Sequence, residues 1–196
     1  MPIDPGKALG ASLGSMETSW DADKIILYHL GLGAGVPQTD PNELEYCYEK
    51  NLKVLPSYGV IPAFPALGGL AKVPGMDFNF MMLLHGEQDL SIMKPIPTAA
   101  SVTTTGKVAG LYDKGKACLA VLETETKEAG GDLLFVNRFS LFLRGEGGWL
   151  PAFGPDSPPK PPSPRRNSEK RFTNRRSPPA SFVSVSSTAR QAFPLS

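Results

Sequence analysis

The sequence predicts an α+β fold: short helices first, then an antiparallel β-meander. Two observations point there. Residues 16–51 carry apolar side chains at helical spacing behind two sets of helix-start signals. Residues 78–144 hold four long segments rich in Val, Leu, Phe and Thr, broken by turn sequences. A third observation bounds the domain. Residues 1–149 carry 12 Lys and Arg against 17 Asp and Glu, a net of −5, whereas residues 150–196 carry 8 against 2, a net of +6. Ten of the 20 prolines fall in that last stretch, with a single glycine, Gly154. The expectation is one folded domain over 1–149 and a Pro/Ser/Arg-rich disordered tail over 150–196.

Each element has its own signals. A first helix is expected over 16–35, with Ser19 as cap and Asp21 and Asp23 at the positive end of the dipole. Ile26, Leu27 and Leu30 supply its apolar stripe, and Gly31, Gly33 and Gly35 stop it. A second helix starts with Asp40 as cap and Pro41 at the first helical position. Glu43 stands three residues on, where a capping box places it, and the helix is expected to run to about Asn51. Residues 54–77 are apolar but interrupted by prolines and glycines, which predicts short helical turns and loops. Strands are expected over 78–93, 100–112, 117–127 and 132–144. Asp113-Lys114-Gly115-Lys116 and Glu128-Ala129-Gly130-Gly131 mark the last two turns. Phe139, Leu141 and Leu143 alternate with Ser140, Phe142 and Arg144, which buries one face more than the other.

Several classes are excluded. Cys47 and Cys118 are far apart with no C-x-x-C spacing, which implies neither a disulfide scaffold nor a zinc ribbon. The first 15 residues lack an unbroken apolar run, so they do not read as a signal peptide. The most apolar stretch, residues 60–71, is short and broken by Pro62, Pro65, Gly68 and Gly69, so no membrane span is expected. The compartment expected is the cytoplasm, or the peroxisome in a eukaryote, although the terminal Pro-Leu-Ser is a poor peroxisomal address.

Taken by residue type, the candidate functional groups are few. Gly31-Leu32-Gly33-Ala34-Gly35 closes a helix instead of joining a strand to one, so it reads as a helix end and not as a phosphate loop. His29 lies in the first helix and reads as a packing or surface residue. His85 stands beside Gly86 at the start of a strand, where it can line a pocket, yet no partner is set by spacing and a structural role weighs more. Glu49, at the expected C-terminus of the second helix, opposes the dipole there.

Five strings, in order, resemble the N-terminal half of the type 2, (R)-specific enoyl-CoA hydratases of the MaoC-like dehydratase family. They are Leu27-Tyr28-His29-Leu30-Gly31-Leu32-Gly33-Ala34, Val54-Leu55-Pro56-Ser57-Tyr58-Gly59 and Leu84-His85-Gly86-Glu87-Gln88. Asp113-Lys114-Gly115-Lys116 and Asn137-Arg138-Phe139-Ser140-Leu141-Phe142-Leu143-Arg144-Gly145 follow. Those enzymes hold two hot-dog repeats in one chain. The resemblance implies that residues 1–149 are the first repeat, an antiparallel sheet around a short central helix with room for a bulky acyl chain. It also implies addition of water across a trans-2-enoyl-CoA to give the (R)-3-hydroxyacyl-CoA. No cofactor is implied, since coenzyme A is part of the substrate. By matching position, Glu49 is a supporting acidic residue, and Tyr58, Gly59, His85 and Gly86 bind substrate. The proton-moving Asp and His come from a Tyr-Arg-Leu-Ser-Gly-Asp-x-Asn-Pro-Leu-His motif in the second repeat, which this chain lacks.

The departure follows Gly147-Gly148. Phe182-Val183-Ser184-Val185 can be encoded by bases that, shifted by one, read Leu-Tyr-Arg-Leu, close to the start of that motif. The tail is therefore read as a frame-shifted translation of a hydratase gene. Three functions are weighed. The first is a truncated hydratase, inactive alone. The second is a non-catalytic hot-dog subunit completing an acyl-CoA site with a partner. The third, carried by charge asymmetry alone, is a domain with a basic nucleic-acid-binding tail. The first two predict a homodimer or a second hot-dog subunit, joined through apolar surface expected at residues 60–70 and 135–143.

Overall fold

A computed structural model describes residues 3–149; the tail expected over 150–196 lies outside the described residues. Alternation within the strands sets the sheet. In β5 (Leu133–Arg144), Phe135, Asn137, Phe139, Leu141 and Leu143 point inward and are buried, while Arg138 and Arg144 face water. In β4 (Ala117–Glu128), Cys118, Ala120, Leu122, Thr124 and Thr126 share that inner face. Val102, Thr104 and Val108 of β3 (Ala100–Asp113) extend it. Both expected turns form, and Gly115 at φ 77° and Gly131 at φ 88° adopt the left-handed conformation that the reversals require.

The complete sheet has five antiparallel strands in the order β1-β3-β4-β5-β2. It is therefore a meander only from β3 to β5. The segment expected over 78–93 forms β2 at Leu83–Ile92, preceded by a 3₁₀ turn, and it pairs with β5 at one edge instead of with β3. The other side of β3 is taken by β1 (Ser12–Trp20).

That strand corrects the first expected helix. Residues 16–20 pair with residues 100–104, and α2 (Ala22–Gly31) begins only after Trp20. The cap is Asp21, whose side chain accepts from the Lys24 N–H at 3.0 Å, and not Ser19, which lies exposed in β1. A single turn, α1 (Pro5–Ala8), precedes β1. The second expected helix is also cut short, to α3 (Pro41–Leu44). Asp40 caps it through the Asn42 N–H, as expected, but Glu43 does not reach back. Its carboxylate instead accepts from the Gly35 N–H at 3.0 Å, closing the glycine-rich turn after α2. The backbone then continues in turns, so Glu49 is exposed in an irregular segment and not at a helix terminus.

The inner face of the sheet is covered by two 3₁₀ segments, Pro56–Val60 and Phe64–Lys72, as the broken apolar stretch predicts. The second approaches β1 closely: a Cβ on Gly69 would lie 1.9 Å from the Leu13 carbonyl oxygen. Only glycine permits that contact. The apolar surface differs from expectation. Over 135–143 the large side chains Phe135, Phe139, Leu141 and Leu143 are core, because they point to the inner face that the covering segments close over. Over 60–70 only Ile61 and Phe64 are exposed large hydrophobics. The larger exposed group is Phe80, Met81, Met82 and Leu84 along the start of edge strand β2, with Met81 85% exposed.

On the outer face, Lys107, Glu123 and Arg138 stand opposite one another on β3, β4 and β5. Lys107 and Arg138 reach the Glu123 carboxylate at 3.1 and 2.8 Å. Partial burial pushes this carboxyl up, but hydrogen bonds from Arg138 and Lys107 outweigh it and hold the group below the ordinary carboxylate range. A depressed folded-state pKa contributes stability above the unfolded value and loses it as pH falls through the folded one. Glu123→Gln is expected to cost about 0.5–1 kcal/mol at pH 7, given the exposed cations. The difference from the parent chain should shrink in urea titrations as pH falls below the ordinary carboxylate range and the Glu123 carboxylate is protonated.

Candidate functional site

The turn that bears Tyr58 and Gly59 is built around one buried amide. Asn137, fully buried on β5, donates from Nδ2 to the Gly59 carbonyl at 3.1 Å. Its Oδ1 accepts from Gln88 Nε2 of β2 at 2.9 Å. The side chain thus ties the covering segment to two neighbouring strands. Gly59 packs tightly here, since a Cβ would meet methyls of Leu90, Ile96 and Ile92 at 3.2–3.4 Å. Tyr58 packs edge-on against Trp20 and Tyr28, with centroids 5.6 and 5.3 Å away. Burial, helped by the negative charge of Asp21, pushes its phenol above the ordinary value. Trp20 is anchored in turn by its Nε1–H to the Pro97 carbonyl at 2.9 Å.

His85 belongs to the same inner face. A bulge between His85 and Glu87 shifts the β2 register, so His85 faces Leu141 and Gln88 faces Phe139, while Gly86 occupies the bulge. A Cβ on Gly86 would come within 3.3 Å of the Ser140 carbonyl. The His85 ring lies 5.9 Å from that of Phe139, and Nε2 is 3.1 Å from the Glu87 carbonyl oxygen. The expected residues thus fall in separate places: Gly59 is tied through Asn137 to Gln88, Tyr58 packs on Trp20 and Tyr28, and His85 and Gly86 lie further along the edge strand beside Phe139 and Ser140. Glu49 stays apart from these, exposed on the 45–55 segment.

Gln88 and Asn137 are the residues that sequence reasoning missed. Asn137 had a signal: it is a polar side chain in phase with Phe135, Phe139 and Leu141 on a strand that buries that face. Gln88 had none, because the bulge that turns it inward is invisible in the sequence. Beside Asn137, Gln88 Oε1 and Thr124 Oγ1 are buried without a hydrogen-bond partner. His29 is fully buried with both ring nitrogens engaged, Nδ1 with the Tyr46 carbonyl at 2.7 Å and Nε2 with the Leu55 N–H at 3.1 Å. His85 has no hydrogen bond to a carboxylate among the described residues. No group of three or more His, Cys, Asp or Glu there could hold a metal. A concavity of about 430 Å³ lies at the other edge of the sheet, lined by residues of β1, β3 and the β4–β5 turn. None of the five expected residues lines it, and its open shape weighs less than the buried polar network at Asn137. Asn137→Ala should cost about 1–3 kcal/mol in thermal or urea unfolding, because the Gly59 carbonyl and the Gln88 amide both lose a buried partner.

Comparison with known proteins gives this geometry a family. The family described as MFE-2 hydratase 2 N-terminal domain matches residues 19–145. Enoyl-CoA hydratase ChsH3 of Mycobacterium tuberculosis is 36% identical over 157 residues, covering 79% of this chain and 55% of that enzyme. Peroxisomal enoyl-CoA hydratase 2 of Arabidopsis thaliana is 36% identical over 147 residues, covering 72% of this chain and 48% of that enzyme. The chain therefore spans about half the length of these relatives. Among solved structures, a MaoC-like dehydratase from Phytophthora capsici superposes with a TM-score of 0.60 at 25% identity, over 76% of this chain and 55% of that one. A MaoC-like dehydratase from Rhodospirillum rubrum superposes with a TM-score of 0.52 at 10% identity, over 74% of this chain and 99% of that one, which speaks to the fold. The five-stranded antiparallel sheet with short helical turns across its inner face is thus a MaoC-like hot-dog, and the chain belongs to the MFE-2 hydratase 2 N-terminal domain family.

Proposed function

We propose that this chain is the acyl-CoA-binding half of an enoyl-CoA hydratase. In this reading, a second hot-dog unit supplies the Asp and His that move protons while water adds across a trans-2-enoyl-CoA. Family membership supports the substrate class. The observation that carries the division of labour is the fate of the two histidines. His29 has both nitrogens bonded to backbone inside the core, and His85 sits on an exposed edge strand without a carboxylate partner. General acid–base catalysis needs a proton carrier within hydrogen-bond reach of the reacting water and matched to a second group. The described residues offer no such pair.

Within that reading, Tyr58 and Gly59 border the acyl chain from the covering segment, and His85 and Gly86 border it from β2. Glu49 takes a supporting role only if the second unit or the substrate draws the 45–55 segment inward. The sheet edge favours a partner. Among the described residues β2 has one side without a strand partner, and Phe80, Met81, Met82 and Leu84 lie exposed along its start. An unpaired edge beside exposed apolar side chains is a template for pairing. The occupant proposed is a second hot-dog unit, either a copy of this chain or a separate subunit bearing the Asp/His motif. Among the described residues no helix is long and apolar enough to cross a membrane.

Two outcomes follow. The pure chain should show no measurable hydration of trans-2-enoyl-CoA, since each missing acid–base group is worth roughly 10²–10⁴-fold. Activity should appear when a hot-dog subunit carrying the motif is added, and substantial turnover by the pure chain would overturn the proposal. Sedimentation at micromolar concentration should show a dimer or larger species. A stable monomer would show that the β2 edge needs no partner.

A further inference from the structure

We propose that His29 is a pH-sensitive latch that holds the 45–55 segment, and through it the Tyr58 turn, against the domain. The inference rests on hydrogen bonds alone and is independent of the acyl-CoA reading. The His29 ring, wholly buried at the C-terminal end of α2, lies between two backbone groups of opposite kind. The Tyr46 carbonyl, 2.7 Å from Nδ1, can only accept, and the Leu55 N–H, 3.1 Å from Nε2, can only donate. Together they select one species, the neutral imidazole with its proton on Nδ1.

Protonation puts a second N–H on Nε2, facing the Leu55 N–H. The Nδ1 bond survives, but the Leu55 bond becomes donor against donor and cannot persist. A buried cation and an orphaned amide are both costly, so opening of the segment is the way the proton is accommodated. The groups around the ring do not offset the charge. The titratable ones in ring contact are phenols, Tyr28 at 5.9 Å from α2 itself and Tyr46 at 5.6 Å, edge-on, from the segment. Of the charged side chains on the segment, Glu45 pairs with Lys53 and Glu49 and Lys50 are exposed, while the nearby Glu43 accepts from the Gly35 N–H. Tyr58, from the turn beyond Leu55, packs on Tyr28 and Trp20.

The consequence reaches the site because of what Leu55 precedes. It is the residue immediately before the 3₁₀ turn Pro56–Val60, which holds Tyr58 and Gly59, and its own carbonyl accepts from the Tyr58 N–H at 3.0 Å. The same segment carries Glu49. Releasing Leu55 therefore frees one end of the turn while Asn137 still holds the other.

The sign follows from linkage: the open segment binds a proton that the closed pair of hydrogen bonds cannot accommodate, so opening grows as pH falls. The test follows the full chain by nitrogen NMR of the imidazole rings from pH 8 to pH 5, with His85→Gln to assign the other ring. Hydrogen exchange of residues 45–55, corrected for intrinsic chemistry, is measured in parallel. The expected result is a neutral Nδ1–H ring at pH 8 and an opening constant that rises by up to tenfold per pH unit, the limit for one proton. In His29→Gln that rise should be absent. A ring found as the Nε2–H tautomer, or one that charges while the Leu55 amide stays protected, would overturn the proposal. So would the same pH response in His29→Gln, and the ring titration decides alone if that variant does not fold.

Discussion

A sheet face covered by backbone without long helices needs its polar groups satisfied from the sheet itself, and the Asn137 side chain does this here. The 3₁₀ turn at Pro56–Val60 is too short to satisfy its own carbonyls, and Gly59 is buried. Asn137 brings a donor to that carbonyl from inside β5 and uses its acceptor to hold Gln88 on β2. One amide thus fixes the height of the cover above the sheet and joins the cover to an edge strand. At the other end of the cover the constraint is steric: Gly69 sits against the Leu13 carbonyl so closely that no side chain fits. Between those two points the cover has little freedom.

The proposed half-site draws its support from this arrangement. A hot-dog with a full central helix would fill its inner face with side chains. Here short turns lie across that face, and polar atoms remain buried without partners beside Asn137. Among the described residues, the edge strand that borders this region has one side unpaired and exposed apolar residues at its start. The proposed second unit would meet the chain there. The histidines fit the same division. One is spent on structure, and the other faces the open edge.

Part of the architecture was legible because local chemistry and tertiary position agree. The turns at Gly115 and Gly131, the alternation of β5, the broken covering segment and the Asp40–Pro41 helix start all follow from residues near in sequence. The failures have one cause: groups distant in sequence claimed backbone that local signals had assigned otherwise. Residues 16–20 have the spacing to extend a helix, but β3 offers them a strand partner. The second helix stops where the Tyr46 carbonyl turns to His29 and the Glu43 carboxylate to Gly35. Glu49 lost its place at a helix end for that reason. Residues 135–143 read as an apolar surface, yet the covering segments close over the inner face to which their large side chains point.

The sequence by itself determined the class of the fold and the family, because alternation, turn glycines and ordered strings are properties of neighbouring residues. It also determined that the proton-moving motif is absent, since residue identity is sufficient for that. Only the tertiary structure decided which residues meet. Whether His85 faces inward depends on a one-residue bulge, and whether His29 acts or packs depends on two backbone groups 17 and 26 residues away. Such pairings are set by the register of the sheet and by the depth at which the cover lies. Both are fixed by contacts between segments, to which no local pattern of side chains corresponds.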